Sequence, residues 1–187
     1  MRKRQDAPGE LERVRAFVNT RDIESDTEGL ARPAELRDWL VGNGLASAGI
    51  RVTRADVSRA MALREALRAN LLSHNDGTTP PPDACRALDE AARRAQVALC
   101  FDERGGASMQ PAARGVDGAL GRLLAIVHRA ISDGTWTRLK ACRDHTCEWA
   151  FYDYTKNRSG TWCTMEECGN RAKARSYRKR RTRPAVQ

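Results

Sequence analysis

Aromatic residues are scarce in this 187-residue chain, at 5% of the total, and long apolar runs are missing. Leu123–Val127 is among the longest hydrophobic stretches, far short of the ~18 residues that read as a membrane span. The first ten residues, Met1 to Glu10, begin basic but lack the apolar stretch of a secretory signal. Six cysteines without such a signal point to a reducing compartment, where clustered thiols hold metal rather than disulfides. Acid is in deficit: 33 Lys+Arg stand against 24 Asp+Glu, a formal +9 with a pI near 9.7. That excess favours an anionic partner such as nucleic acid and says nothing about fold. Catalytic signatures are missing too. No pairing of nucleophile, base and acid and no phosphate-cradling glycine loop can be picked out. The sequence therefore reads as a cytoplasmic, nucleoid-associated non-enzyme, and secreted, membrane-bound and disulfide-framed classes are disfavoured.

What is present is distributed unevenly. Residues 138–187 carry 13 Lys/Arg and 5 acids, a net +8 of the chain's +9. The same region, from Trp136 on, holds seven of the ten aromatics. Two compositional regimes argue for two domains with a boundary near Asp133-Gly134-Thr135. The expected organisation is a disordered lead over 1–10, a helical domain over 11–135 and a small cysteine-containing module over 136–183.

Periodicity in the first region is helical. Leu36, Trp39 and Leu40 share a face between Pro33 and Val41, and Gly42 is placed to end that helix. Thr53 and Asp56 form an N-terminal cap for a longer helix to about Ser73, with Val57, Ala60, Leu63, Leu67 and Leu71 recurring at threes and fours. Asp83 can cap an alanine-rich helix through Ala95, Val97–Phe101 starts a short hairpin, and Leu120, Leu124, Val127 and Ile131 mark the core face of a last helix that Gly134 stops. Cys85 and Cys100 lie among alanine and valine and read as buried small hydrophobes. The fold class expected is mainly α: a helical domain with a minor β-hairpin, followed by a small treble-clef-like α+β module.

The sharpest chemical signal is a set of four cysteines. Cys142 and Cys147 are separated by four residues, as are Cys163 and Cys168, with fifteen residues between the pairs. Two short-spaced pairs bracketing such a gap suit one structural Zn2+. Two disulfides, an iron–sulfur cluster or a redox switch use the same residues, and His145 could replace one ligand. In the gap, Glu148–Asp153 alternates so that Trp149 and Phe151 share a face, and Thr161-Trp-Cys163 reads as a return strand. Thr164-Met-Glu-Glu167 is a capping box, which puts Cys163 just before the cap and Cys168 on the fourth helical residue. Those positions normally meet as a hydrophobic staple, so the two thiols are expected side by side near the positive end of the helix dipole. A segment of roughly 50 residues buries too little surface to fold reliably alone, and structural zinc typically supplies on the order of 10–16 kcal/mol.

These residues carry a resemblance. Arg138-Leu-Lys140, Cys147-Glu-Trp149, Phe151-Tyr-Asp153, Lys156-Asn157, Trp162-Cys-Thr-Met165 and above all Cys168-Gly-Asn-Arg171 resemble the CGNR zinc finger over about residues 136–181. Phe17-Val-Asn-Thr20, Leu36–Leu40 with Trp39, and Leu63-Arg-Glu65 more loosely resemble the ABATE domain that precedes that finger. The resemblance implies a bacterial stress-induced transcription regulator whose first domain senses a small-molecule effector or dimerises. It also points to Asn19, Trp39 and Arg64 as the lining of an effector pocket.

Beyond Met165 the sequence predicts a helix to about Arg181 that is basic from Arg171 onward. Such a helix fits the major groove of double-stranded DNA, with most of its cations on phosphates. The candidate nucleic-acid contacts are Lys156, Asn157 and Arg158 in a turn, and Asn170, Arg171, Lys173, Arg175, Arg178, Lys179 and Arg180 on the helix. Asn170 and Arg171 lie so close to the thiols that a structural role is the competing reading. A single finger gives little contact for high specificity, so a homodimer is an inference from energetics alone. An RNA-binding or protein-interaction finger is the alternative.

Overall fold

The computed structural model describes residues 6–181, with side chains through Arg178. Among these residues the order is α1 (Leu11–Val18), β1 (Arg21–Asp22), β2 (Thr27–Glu28), α2 (Pro33–Gly42), α3 (Arg54–Ser73), α4 (Pro82–Ala95), β3 (Val97–Phe101), β4 (Ala107–Pro111), α5 (Gly115–Ser132), β5 (Leu139–Ala141), β6 (Ala150–Tyr152) and α6 (Asn170–Arg181). The strands form three two-stranded antiparallel hairpins, β1–β2, β3–β4 and β5–β6. The expected fold class, mainly α with a small cysteine-rich module at the end, is the one observed. None of the described helices is long and apolar enough to cross a membrane.

Local chemistry explains most helix boundaries. At α3 the Thr53 hydroxyl accepts from the Asp56 N–H, while the Asp56 carboxylate accepts from the Thr53 N–H at 2.6 Å. At the end of α5, Gly134 N–H donates to Ile131 C=O and Thr135 N–H to Ala130 C=O, a Schellman closure. Three expectations are corrected here. The α4 cap is Pro81, and Asp83 sits inside the first turn, where its charge suits the dipole. On α5 the buried stripe is Val116, Ala119, Leu120, Leu123, Ile126 and Ala130, while Ile131 is exposed. Gly121 lets the helix approach Ala95 of α4 and Pro111 of β4 closely, so small residues share the buried face with Leu120, Leu123 and Ile126. Cys85 is exposed, since Ala84 and Ala95 take the buried positions of α4, and Cys100 is half-buried on β3.

One apolar core gathers Val14, Phe17 and Val18 from α1, Leu36 and Leu40 from α2, Leu63, Leu67 and Leu71 from α3, and Leu120 and Leu123 from α5. Each such side chain contributes about 1.5–3 kcal/mol on burial. The same core includes Leu139 and Ala141 of β5 and Ala150 and Tyr152 of β6. The compositional boundary near residue 134 is therefore not a break in packing.

The N-terminus also departs from expectation. Residues 6–10 are packed rather than disordered: Ala7 is buried and its N–H donates to Glu12 at 2.7 Å, and the Asp6 carbonyl accepts from the Tyr154 hydroxyl at 2.9 Å. Residues 1–5 lie outside the described residues. The β1–β2 hairpin was not anticipated by any local pattern. Its strands are two residues long, and tertiary partners hold them. Arg64, buried on α3, grips the Glu28 carboxylate with two 2.7 Å hydrogen bonds. Burial pushes the Glu28 carboxyl up, but the Arg64 bonds outweigh it and hold it below the usual carboxylate range.

Candidate metal centre

The first cysteine pair is the turn of the β5–β6 hairpin. Register pairs Leu139 with Tyr152, Lys140 with Phe151 and Ala141 with Ala150, so the chain leaves β5 at Cys142 and returns through Cys147. Cys147 N–H and Glu148 N–H both donate to Asp144 C=O, at 2.8 and 3.0 Å, and Cys142 N–H donates to Trp149 C=O at 2.9 Å. Glu148 adopts a left-handed φ of 45° to close this knuckle. The side chain of the buried Asp144 accepts from the Thr146 hydroxyl at 2.9 Å. Burial pushes its carboxyl up, while Thr146 and Arg175 override that and leave it below its ordinary value.

The second pair opens the last helix. Thr164 accepts from Glu167 N–H at 3.3 Å, as the capping box predicts. The first turn, Met165–Gly169, is a wide π-turn in which Gly169 N–H reaches Thr164 C=O at 3.1 Å. Cys163, just before the turn, and Cys168, within it, stand at a sulfur–sulfur distance of 3.6 Å. At Gly169 a Cβ would meet the Met165 thioether at 2.7 Å, so a larger residue there would need that flexible side chain to move.

All four sulfurs lie within 4.8 Å of one another, and Cys147 stands 3.7 Å from Cys163. Four sulfurs about 2.3 Å from a tetrahedral centre stand about 3.8 Å apart, whereas a disulfide requires about 2.05 Å. Cys142, Cys147 and Cys168 are buried and Cys163 is half-buried, with Trp149 and Trp162 packed around them. The residues fit one structural zinc ion. Their electrostatics point the same way. Hydrogen bonds from Cys147 and Cys163, against burial, bring the Cys142 thiol down to about 4. The same interactions together with burial push Cys163 up. One thiolate thus forms at the expense of its neighbours, and a dication is what lets all four ionise together.

Beyond the cluster, the chain from Asp153 to Gly160 is organised around Lys140. This buried ammonium donates to the Asp153 carboxylate and the Gly160 carbonyl, each at 2.9 Å, and to the Arg158 carbonyl. Gly160 N–H donates to the same carboxylate at 2.8 Å, and a Cβ on Gly160 would meet it at 2.8 Å. The segment 161–163, expected as a return strand, is not one. The β5–β6 sheet stays two-stranded, the Asn19 amide takes both backbone groups of Ala150 on β6, and the segment is tied instead by Arg143 N–H to Thr161 C=O at 3.0 Å. Trp149 packs against the thiols, and Phe151 of β6 is buried.

The candidate contacts separate into two groups. Lys156, Asn157, Arg158, Asn170, Lys173, Arg175 and Arg178 are exposed. Arg175 nevertheless approaches the Asp144 carboxylate at 3.2 Å, and the Asn170 amide donates to Glu166 C=O at 3.0 Å. Arg171 is engaged: it donates to the Cys168 sulfur at 2.9 Å and pairs with Glu24 of the β1–β2 loop. The side chains of Lys179 and Arg180, and Arg183, lie outside the described residues.

The three residues expected to line an effector pocket, Asn19, Trp39 and Arg64, have partners inside the protein. The Asn19 amide exchanges two hydrogen bonds with the Ala150 backbone, at 2.8 and 2.9 Å, and so docks β6 onto the end of α1. Trp39 packs on Phe17 with ring centroids 5.1 Å apart, and Arg64 is spent on Glu28, Glu65 and Thr20. The sequence reading missed Arg68 altogether. This buried guanidinium donates to the Val18, Arg21 and Glu148 carbonyls at 2.7, 3.1 and 2.8 Å, tying α1, the β1–β2 hairpin and the first knuckle to α3. Only its place beside Arg64 on the apolar side of α3 could have signalled this.

Two family models match the chain. One, described as "CGNR zinc finger", covers residues 138–181. The other, described as "Putative stress-induced transcription regulator" and named ABATE, covers residues 12–133. No curated protein matches. With the larger model spanning well over half of the sequence and the tetrathiolate geometry in place, the chain belongs to the ABATE family and carries a C-terminal CGNR zinc finger.

Proposed function

We propose that this chain is a zinc-dependent DNA-binding transcription regulator whose last helix contacts the duplex. The observation that carries the reading is the pairing of position and charge on α6. Cys168 anchors the start of the helix at the metal centre, and the sequence contains no acid after Glu167 while eight Lys/Arg follow. Twelve residues, Asn170–Arg181, extend about 18 Å at 1.5 Å per residue, with a width that the major groove accepts. Lys173 and Arg178 on α6 and Lys156 and Asn157 on the 153–160 loop supply exposed cationic or polar contacts to phosphates. The ABATE domain, a fixed platform for the hairpin that carries the first knuckle, supplies the sensing or dimerising part.

Fluorescence anisotropy with duplex DNA across a salt series tests this, with structured RNA as competitor. Affinity for duplex is expected to fall steeply with salt, and Lys173→Ala and Arg178→Ala are each expected to lower the salt slope by about 1. Binding that is absent or insensitive to salt defeats the reading, and preference for structured RNA reassigns the helix to RNA.

A further inference from the structure

We propose that Arg171, the last residue of the CGNR tetrapeptide, is a positioning residue that fastens α6 simultaneously to the zinc thiolates and to the ABATE domain, with Glu24 as its anchor on that domain. The basis is the convergence of three partners on one guanidinium. One terminal nitrogen donates to the Cys168 sulfur at 2.9 Å, Nε lies 3.4 Å from the Asp144 carboxylate, and the other terminal nitrogen pairs with Glu24. These partners come from the second knuckle, the first knuckle and the loop between β1 and β2. Nothing else on α6 among the described side chains reaches all three.

Electrostatics explains why an arginine suits the position. Four thiolates around a dication leave a net charge of −2, and the buried Asp144 carboxylate stands nearby. An N–H donor on a metal-bound thiolate stabilises that charge, and such outer partners commonly change metal affinity by about 10–100-fold. A guanidinium presents five donors in a rigid fork and can serve three acceptors in different directions, which a lysine ammonium on a flexible stem does less well.

Glu24 is itself held by a braced element. The base of the β1–β2 hairpin is pinned to α3 by Arg64, which grips Glu28, and by Arg68, which donates to the Arg21 carbonyl. Asp22 caps the loop by accepting from Glu24 N–H at 3.0 Å. The hairpin is thus a strut from α3 to Arg171, and the pose of the basic helix depends both on the metal and on the helical domain. This assignment withdraws Arg171 from the nucleic-acid contacts and does not depend on what α6 binds.

The test uses the full chain loaded with zinc or cobalt, and the variants Arg171→Ala, Arg171→Lys and Glu24→Gln. Both Arg171 variants are expected to release zinc to a chelator about 10-fold or more faster than wild type. Removing the N–H donor raises the energy of the sulfur lone pairs, so the thiolate-to-cobalt charge-transfer band should move to longer wavelength. Glu24→Gln should leave that band in place while amide exchange over residues 165–175 quickens by about twofold to fivefold, as for loss of a half-exposed ion pair. Should Arg171→Ala not fold, Arg171→Lys keeps the charge and carries the same readouts. Zinc release and a cobalt band identical to wild type in the lysine variant overturn the thiolate contact. Unchanged exchange in Glu24→Gln overturns the strut.

Discussion

The ABATE region and the zinc finger solve the problem of stability with opposite materials. From α1 to α5 the interior is a leucine-rich cluster in which Leu36, Leu40, Leu63, Leu67, Leu71 and Leu123 are almost wholly buried. From Cys142 to Cys168 the buried apolar residues are few, and the shape depends on four sulfurs, a lysine with three acceptors and two buried aspartates. The apolar core is non-directional and tolerates approximate shape, whereas the finger is held by partners at fixed distances. The β5–β6 hairpin belongs to both: Leu139, Ala141, Ala150 and Tyr152 enter the leucine core while the knuckle between the strands supplies two of the thiols. The finger is therefore built onto its platform rather than tethered to it.

Zinc removal should separate the two regions most strongly, since structural zinc contributes on the order of 10–16 kcal/mol. With chelator present, hydrogen exchange should lose its protection over 142–147 and 160–170, while α3, α5, β5 and β6 remain protected by the leucine core. Melting of the whole chain on metal removal would break the contrast. Arg68→Ala should come next, at about 3–5 kcal/mol, because three carbonyls and the Glu65 carboxylate lose a buried guanidinium. Thermal denaturation checks it, and the loss should fall on both regions together. Leu67→Ala should cost about 2–5 kcal/mol but leave the cobalt spectrum of the finger unaltered. Asn19→Ala should cost about 1–3 kcal/mol and quicken exchange selectively at Ala150, where its two hydrogen bonds to β6 are lost.

The smallest expected effect is a pH dependence at His74, whose Nδ1–H donates to the Leu139 carbonyl at 2.8 Å beside the Trp136 ring. Burial pushes its pKa down, the Leu139 carbonyl pulls it up, and nearby Lys140 pushes it down again, with a net lowering. The unfolded chain, with an ordinary value near about 6.5, binds the proton first. Stability from this group is therefore present above about pH 6.5 and is lost as the pH falls below it. Zinc-loaded wild type should lose more stability than His74→Gln between neutral and mildly acidic pH. Equal losses in the two proteins would remove His74 from the junction.

Much of this arrangement was legible in the residues because its causes are local. The Thr53–Asp56 and Thr164–Glu167 caps and the two cysteine pairs each act within five residues, so spacing alone revealed them. The β1–β2 hairpin was invisible for the opposite reason: its partners Arg64 and Arg68 lie more than thirty-five residues away on α3. Arginines on a helix ordinarily read as solvated, and nothing in their neighbours says that carbonyls wait for them. Residues 161–163 alternate like a strand, yet the backbone of Ala150 on β6 is taken by Asn19, a partner distant in sequence. Asn19 stood out as an amide suited to a ligand, and in the fold its half-buried amide meets the backbone of β6.

The most direct test of a metal-clamped helix is X-ray absorption at the zinc edge on the full-length protein. One zinc per chain surrounded by four sulfurs at about 2.3 Å is the expected result. A nitrogen or oxygen in the coordination shell, or a protein whose thiols have paired as disulfides and holds no zinc, would contradict it.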